Sequence, residues 1–374
     1  MALRLPDPRA VAQQEAAQIL AHPHLHFEAP IDRIIADAPQ LDRQALLEGL
    51  EAFHAERMGR VPSAAKYPES PPWVEHVLAV DRRLKRAANL SDRQMAVLRS
   101  LHVYITFRGL RRCAPADEKC RIAYLPETDR GPVSMSNTDD PLTHWKPAPP
   151  PASFPCQGGL SAGGVGNGLH MDEEPDELFP LPVTQMLPHY ASDTPGGVQF
   201  LTRYCPFWGR CNLLLFDEQR RSAAIEKCSY KYMDVFHPGP DGRSHVSGMT
   251  CRDPDTQQGR HQRAMREGYL KLFRLPADGP DSAFWAACRK FERKLADALR
   301  DLGPAARFED LTRLFVTPWP EGLNKCGLKP HPQSGLVGYT LQTHALLIGE
   351  KTYLRWQRSE DGRTYPTEPE VYRF

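Results

Sequence analysis

Net charge is almost absent from this chain. Its 47 Lys and Arg face 46 Asp and Glu, leaving a formal +1 over 374 residues. No broad field therefore favours nucleic acid or an anionic membrane, and only local patches could do so. Long apolar runs are missing too: nothing approaches the roughly 18 to 20 residues a membrane-spanning helix needs, and Met1-Ala2-Leu3-Arg4-Leu5-Pro6-Asp7 lacks the apolar stretch of a signal peptide. There is no Cys-x-x-Cys pair and no His-Glu-x-x-His. The common zinc spacings are thereby excluded, and His22-Pro23-His24-Leu25-His26 reads as a proline-broken loop, a poor start for a structural metal site. The nine cysteines are odd in number and irregular in spacing, which argues against a disulfide framework and for a reduced, cytoplasmic setting. Gly163-Gly164-Val165-Gly166-Asn167-Gly168 lacks both the Lys-Ser/Thr of a phosphate loop and the layout of a dinucleotide fingerprint. No cofactor and no metal are expected.

What is present divides the chain in two. Residues 1–119 read as helical, with an amphipathic start at Val11 to Leu20 and further helices at Asp42 to Arg57, Trp73 to Ala88 and Asp92 to Phe107. Ser91 is placed to cap the last of these. From 120 to 374 the pattern turns sheet-like, with strands at Cys120 to Tyr124, Pro132 to Asn137, Leu160 onward, Leu213 onward and Thr340 to Ile348, and a further strand at Leu311 to Val316. Pro147, Pro149, Pro150 and Pro151 crowd a loop between Asp139 and Pro155. Short helices are expected at Pro182 to Tyr190 and Gly196 to Tyr204, a basic helix at Gly259 to Phe273 and another at Ser282 to Leu302. Arg260, Arg263, Arg266 and Lys271 give the basic helix a solvated face that could also receive a phosphate.

The residue that points to chemistry is Cys120, in Lys119-Cys120-Arg121-Ile122-Ala123-Tyr124, followed after a turn by Asn137-Thr138-Asp139-Asp140. A cysteine opening a strand can be freed as a new N-terminus, and its α-amine, with pKa near ~8, can then take the proton of the thiol. Val133 and Met135 alternate against Ser134 and Ser136, so the return strand brings Asp139 to the same end of the hairpin. A carboxylate there would hold the new ammonium, and a cation beside a thiol lowers its pKa. A cysteine at a strand start is equally at home as a small buried hydrophobe. Cys113 and Cys251 compete for the role, and an unprocessed Cys120 could instead use His102 or His170.

These blocks resemble, in their order, the isopenicillin N acyltransferase family, the self-cleaving cysteine branch of the N-terminal nucleophile hydrolases. Ala123-Tyr124, Gly131 and Asn137-Thr138-Asp139 follow its nucleophile hairpin. Gly159-Leu160-Ser161-Ala162-Gly163-Gly164-Val165 resembles a second strand and turn, Cys211 to Asp217 with Ala223 to Glu226 its central hairpin, and Tyr339 to Ile348 with Tyr372 to Phe374 its closing strands. The resemblance implies an α+β fold, a four-layer αββα sandwich of two stacked, mostly antiparallel sheets behind a helical N-terminal segment or subunit. It implies acyl transfer or amide hydrolysis through a thioester on Cys120, with Asp139 orienting the amine, Asn137 bracing the hairpin or reaching the oxyanion hole, and Thr250 or Ser247 donating to that hole. Tyr124, Ser161 and Glu226 fall near the substrate. The substrate implied is a small-molecule amide or an acyl thioester on CoA or a carrier protein, and the assembly a homodimer or a self-cleaved heterodimer. Three positions depart from the pattern. Lys119 stands where the family has Gly, Ser247-Gly248-Met249-Thr250-Cys251 replaces an Asn-bearing segment, and Leu336-Val337 stands where an Arg precedes the closing strands. They favour, as the alternative, a non-catalytic binding or scaffold protein on the same fold.

Overall fold

The computed structural model describes residues 5–37, 40–59, 68–69, 71–107, 120–141, 151, 154–156, 159–166, 187, 190–204, 211–226, 233–247, 255–256, 259–260, 292–303, 306–325 and 338–374. They fall into two compact units: Met1–Arg112 with Glu174–Gly209, and Cys113–Glu173 with Arg210–Phe374. The described part of 174–209 belongs with the N-terminal helices.

The first unit is helical. Its elements are α1 (Pro8–Ala21), α2 (Pro23–Asp37), α3 (Arg43–Gly59), α4 (Pro71–Ala87), α5 (Asp92–Phe107) and the short α6 (Thr194–Gln199), which runs on into a π-turn at Phe200–Tyr204. The caps are legible: Asp7 accepts from Arg9 N, Asp42 from Ala45 N, and Ser91 and Gln94 bond each other's backbone N–H in a reciprocal box. The histidine run expected as a loop is helical instead. Pro23 opens α2 at the position where a helix loses nothing by lacking an N–H, so the proline starts a helix rather than breaking one. In α4, Trp73, Val74, Val77, Val80 and Leu84 form one buried stripe at helical spacing. Trp73 meets Phe200 edge-on at 5.3 Å, and Tyr190 stacks on Phe200 at 5.2 Å.

One charged knot ties this unit together. The buried Arg99 of α5 donates to both carboxylate oxygens of Glu15 on α1, at 2.6 and 2.9 Å, and twice to Asp81 Oδ1 on α4, at 2.9 and 2.8 Å. Burial works against its charge, and the carboxylates of Asp81 and Glu15 outweigh that, so its pKa is raised.

The second unit is built on two antiparallel sheets. The larger has the order β10-β9-β8-β2-β1-β7, from β1 (Arg121–Leu125), β2 (Val133–Pro141), β7 (Ser244–Ser247), β8 (Gly338–Leu347), β9 (Thr352–Gln357) and β10 (Glu370–Arg373). The smaller runs β3-β4-β5-β6, from β3 (Leu160–Gly166), β4 (Cys211–Asp217), β5 (Ser222–Glu226) and β6 (Asp234–Phe236). They stack face to face, with Ile122, Tyr124 and Val246 of one sheet packed on Leu214, Phe216 and Ala224 of the other. At Gly163 the sheets approach closely, since a Cβ there would stand 2.5 Å from Ile122 Cδ1. On its other face the large sheet buries Ala123, Leu125, Met135, Ala345 and Trp356 against α7 (residues 292–301) and α8 (Phe308–Val316). The class is α+β, as expected, and among the described residues of this unit the helices cover the outer face of the larger sheet.

Leu311 to Val316, expected as a strand, lies within α8. Leu311 and Phe315 are its buried residues, four apart, with Glu309 and Asp310 in the first turn and Arg313 in the last, an arrangement that favours the helix dipole. Asp129, from the β1–β2 turn, accepts from Phe308 N at 2.6 Å and caps α8 from outside. The turn itself closes on Gly131, whose φ of +78° is a left-handed conformation that suits glycine.

On β8, half-buried His344 stacks on Tyr353, and Nδ1 meets the Tyr353 hydroxyl. Burial, followed by the nearby Arg355, lowers its pKa to about 4. Protonation therefore favours the unfolded chain: the stability His344 contributes is complete above its ordinary pKa of 6.5 and is lost as pH falls from 6.5 towards 4. Denaturant titrations at pH 7.5 and 4.5 should show a loss smaller by about 2 kcal/mol in His344→Gln than in the wild type, after discounting for partial exposure. Equal losses in both chains would contradict this.

Candidate active site

The β1–β2 register pairs Arg121 with Asn137 and Leu125 with Val133, which brings Cys120 and Asp139 to one end of the hairpin. All five residues of β1 are buried, whereas Cys120, just before it, is half-buried. Strand alternation then separates the functional groups. Ile122 and Tyr124 face the inter-sheet core and Cys120 packs against that same cluster. Arg121 lies on the other face, with Ala123 and Leu125. The sulfur stands 4.0 Å from the backbone carbonyl oxygen of Asp139.

The Asp139 carboxylate is on the Arg121 side. Its Oδ2 accepts from Arg121 Nη1 at 3.0 Å and from Lys325 Nζ at 2.9 Å, and its Oδ1 from Thr340 Oγ1 at 2.7 Å. The side chains of Asp139, Arg121 and Lys325 are 0%, 1% and 1% exposed, so this is a desolvated cluster in which each charge needs its partners. A β-bulge makes the arrangement possible. Between Thr138 and Asp139 the β2–β8 register slips, so that Asp139 faces Thr340 while Thr138 faces Gln342.

Asn137 braces the same face. Its amide nitrogen donates to Phe315 O at 3.3 Å and Leu323 O at 3.4 Å, and its oxygen accepts from Thr343 Oγ1 at 2.7 Å. Of the two roles considered for it, these contacts describe the brace. Tyr124 is buried and stacked on Phe216 at 5.1 Å, and burial raises its pKa. Ser161, on β3, donates its hydroxyl to Pro155 O at 2.9 Å. Glu226, buried at the end of β5, stands opposite Asp234. The structure thus gathers Cys120, Asp139 and Asn137 at one strand end, while Tyr124, Ser161 and Glu226 lie on β1, β3 and β5, the last at its strand's end. Thr250, Cys113, Cys251, His170 and Lys119 lie outside the described residues, as do the side chains of Ser247 and His102.

Cys156 is a useful contrast. It packs on the same inter-sheet cluster, but burial, with Glu218 and Asp217 nearby, pushes its thiol up to about 12. A thiol so shifted stays protonated at neutral pH. Among the described residues, no group of three or more His, Cys, Asp or Glu could hold a metal ion, and no helix is long and apolar enough to cross a membrane.

Sequence reasoning missed Arg121, Lys325 and Thr340. Arg121 carried a signal: period two places it on the face of Ala123 and Leu125, and a guanidinium among apolar neighbours demands a buried carboxylate. Lys325 carried none, since no local pattern ties it to the hairpin.

No protein-family model matches the chain, and no curated protein does. Among solved structures, a variant of the conjugated bile acid hydrolase from Clostridium perfringens superposes with a TM-score of 0.31 at 10% identity, over 69% of this chain and 89% of that one. Another variant of the same hydrolase gives 0.32 at 12% identity, over 68% and 89%. Likenesses of that size carry no argument about chemistry.

Proposed function

We propose that the chain is a cysteine-dependent acyltransferase or amide hydrolase of the N-terminal nucleophile type, working through a thioester on Cys120. The observation that supports this is the position of that residue. A half-buried thiol opens an otherwise fully buried strand, at the end where the hairpin concentrates its buried charges. Cleavage of the bond between Lys119 and Cys120 would free an α-amine to act as base. That amine would take the thiol proton, and the thiolate would attack the acyl carbon. The bond to the leaving group would then break as that group regained the proton. Water or an acceptor would cleave the thioester and restore the thiol. A carboxylate offers about four acceptor sites, and three at Asp139 are taken by Arg121, Lys325 and Thr340. In this proposal the fourth receives the freed ammonium. Backbone N–H groups, with Thr250 or Ser247, would supply the oxyanion hole. The substrate class is a small-molecule amide or an acyl thioester on CoA or a carrier protein, met in the cytoplasm by a homodimer or a self-cleaved heterodimer.

A second reading is a non-catalytic binding or scaffold protein, and the residue that favours it is Lys119, a bulky side chain at the bond that would have to break. Intact-mass measurement of the purified chain separates the two. Two fragments, the longer beginning at Cys120, are expected, with a single uncut species for Cys120→Ala. A wild-type chain that stays uncut, and whose Cys120→Ala form turns over acyl substrates equally well, would overturn the proposal.

A further inference from the structure

The hairpin is braced in two ways on its helical face. Asn137 is held by neutral groups throughout, the carbonyls of Phe315 and Leu323 and the hydroxyl of Thr343. Two residues further along, at the strand end that carries Cys120, the brace becomes ionic, with two cations on one oxygen of Asp139. Burying a lysine costs several kcal/mol before its partners repay it, and a well-packed apolar group often serves stability as well. A fold that braces Asn137 with neutral groups did not need that charge for cohesion.

Lys325 is itself held firmly. Its backbone N–H donates to Thr340 Oγ1 at 2.8 Å, and the Thr340 hydroxyl in turn donates to Asp139 Oδ1. The Lys325 carbonyl accepts from Arg358 Nη2 at 3.2 Å, and the same guanidinium donates to Thr340 O and to Asn324 Oδ1, both at 2.7 Å. The buried ammonium is therefore delivered to Asp139 from a backbone that is hydrogen-bonded at both its N–H and its carbonyl. Its partner carboxylate belongs to the residue whose carbonyl faces the sulfur, and the second cation, Arg121, follows Cys120 directly.

We infer that Lys325 is a positioning residue of the Cys120 centre, setting through Asp139 and Arg121 where the thiol stands. The inference rests on the assignment of Cys120 as nucleophile. It is tested by the rate at which iodoacetamide alkylates Cys120, followed by mass spectrometry of the peptide that carries it, in the full chain and in Lys325→Met, Lys325→Arg and Thr340→Val, with melting recorded for each. Lys325→Met should slow alkylation by about 10- to 100-fold, the scale of a displacement near 1 Å, while Lys325→Arg recovers most of the wild-type rate. A folded Lys325→Met chain alkylated at the wild-type rate, or an arginine variant no better than methionine, overturns the inference. Should Lys325→Met fail to fold, Thr340→Val decides it: slowing supports the inference and an unchanged rate overturns it. Wild-type Cys120 reacting no faster than in the unfolded chain would defeat the nucleophile assignment and this inference together. A reactive wild type with unresponsive variants defeats this inference alone.

Discussion

Replacing Cys120 with alanine is expected to remove acyl turnover by about 10³-fold or more, with the melting temperature nearly unchanged. The loss should be that large because the thiol makes and breaks the bond itself, and no described cysteine can take over. Cys156 has its thiol pushed up to about 12 and faces carboxylates rather than cations. The stability cost should be small because Cys120 is half-buried and lies just outside β1, so alanine leaves the strand pairing and the inter-sheet packing in place. A melting temperature that falls steeply alongside activity would identify Cys120 as a packing residue. Cys120→Ser separates the two further. It keeps nearly the volume and puts a hydroxyl in place of the thiol, losing the readily formed thiolate, so activity should fall nearly as far as in the alanine variant.

The second large effect belongs to the helical unit. Arg99→Met should destabilise the chain by about 3–5 kcal/mol, read from the midpoint of a urea titration at constant slope. Arg99 is the cation shared by Glu15 and Asp81, and without it Asp81, 7% exposed at the side chain, would remain buried among apolar helices with no guanidinium opposite. The loss should shrink in the double variant Arg99→Met with Asp81→Leu, since removing both charges also removes the uncompensated desolvation. Additive losses in the double variant would mean that the two residues act separately. Because three helices meet at this one side chain, the unit should loosen cooperatively rather than fray from an end.

Local patterns carried most of the fold. The strands β1, β2, β4, β5 and β8 were legible because alternation and tight turns announce antiparallel hairpins, α4 because of its buried stripe and α5 because Ser91 caps it. The two misreadings have the same origin. In Leu311 to Val316 a short apolar run has no distinguishing period, and what made it a helix was a sheet face beneath it together with Asp129 supplied from a distant turn. In the histidine run, Pro23 looked like an interruption, although proline is as much a helix opener as a breaker. The proximity of Cys120, Asn137 and Asp139 was legible because the three share one hairpin, and whether they form a site is part of the proposal. Alternation should also have shown that the thiol and the Asp139 carboxylate project to opposite faces. The charges that organise Asp139 come from another part of the chain, and the bulge that aims it at Thr340 is a slip of register that composition does not announce.

Everything said of the chemistry turns on whether an acyl group becomes covalently attached to the sulfur of Cys120. Rapid acid quenching of the protein during turnover of an acyl amide or acyl thioester, followed by peptide mass spectrometry, measures this directly. The expected result is the acyl mass on the peptide that begins with Cys120 and on no other cysteine. Turnover with no adduct there, or with the adduct on a different residue, would contradict it.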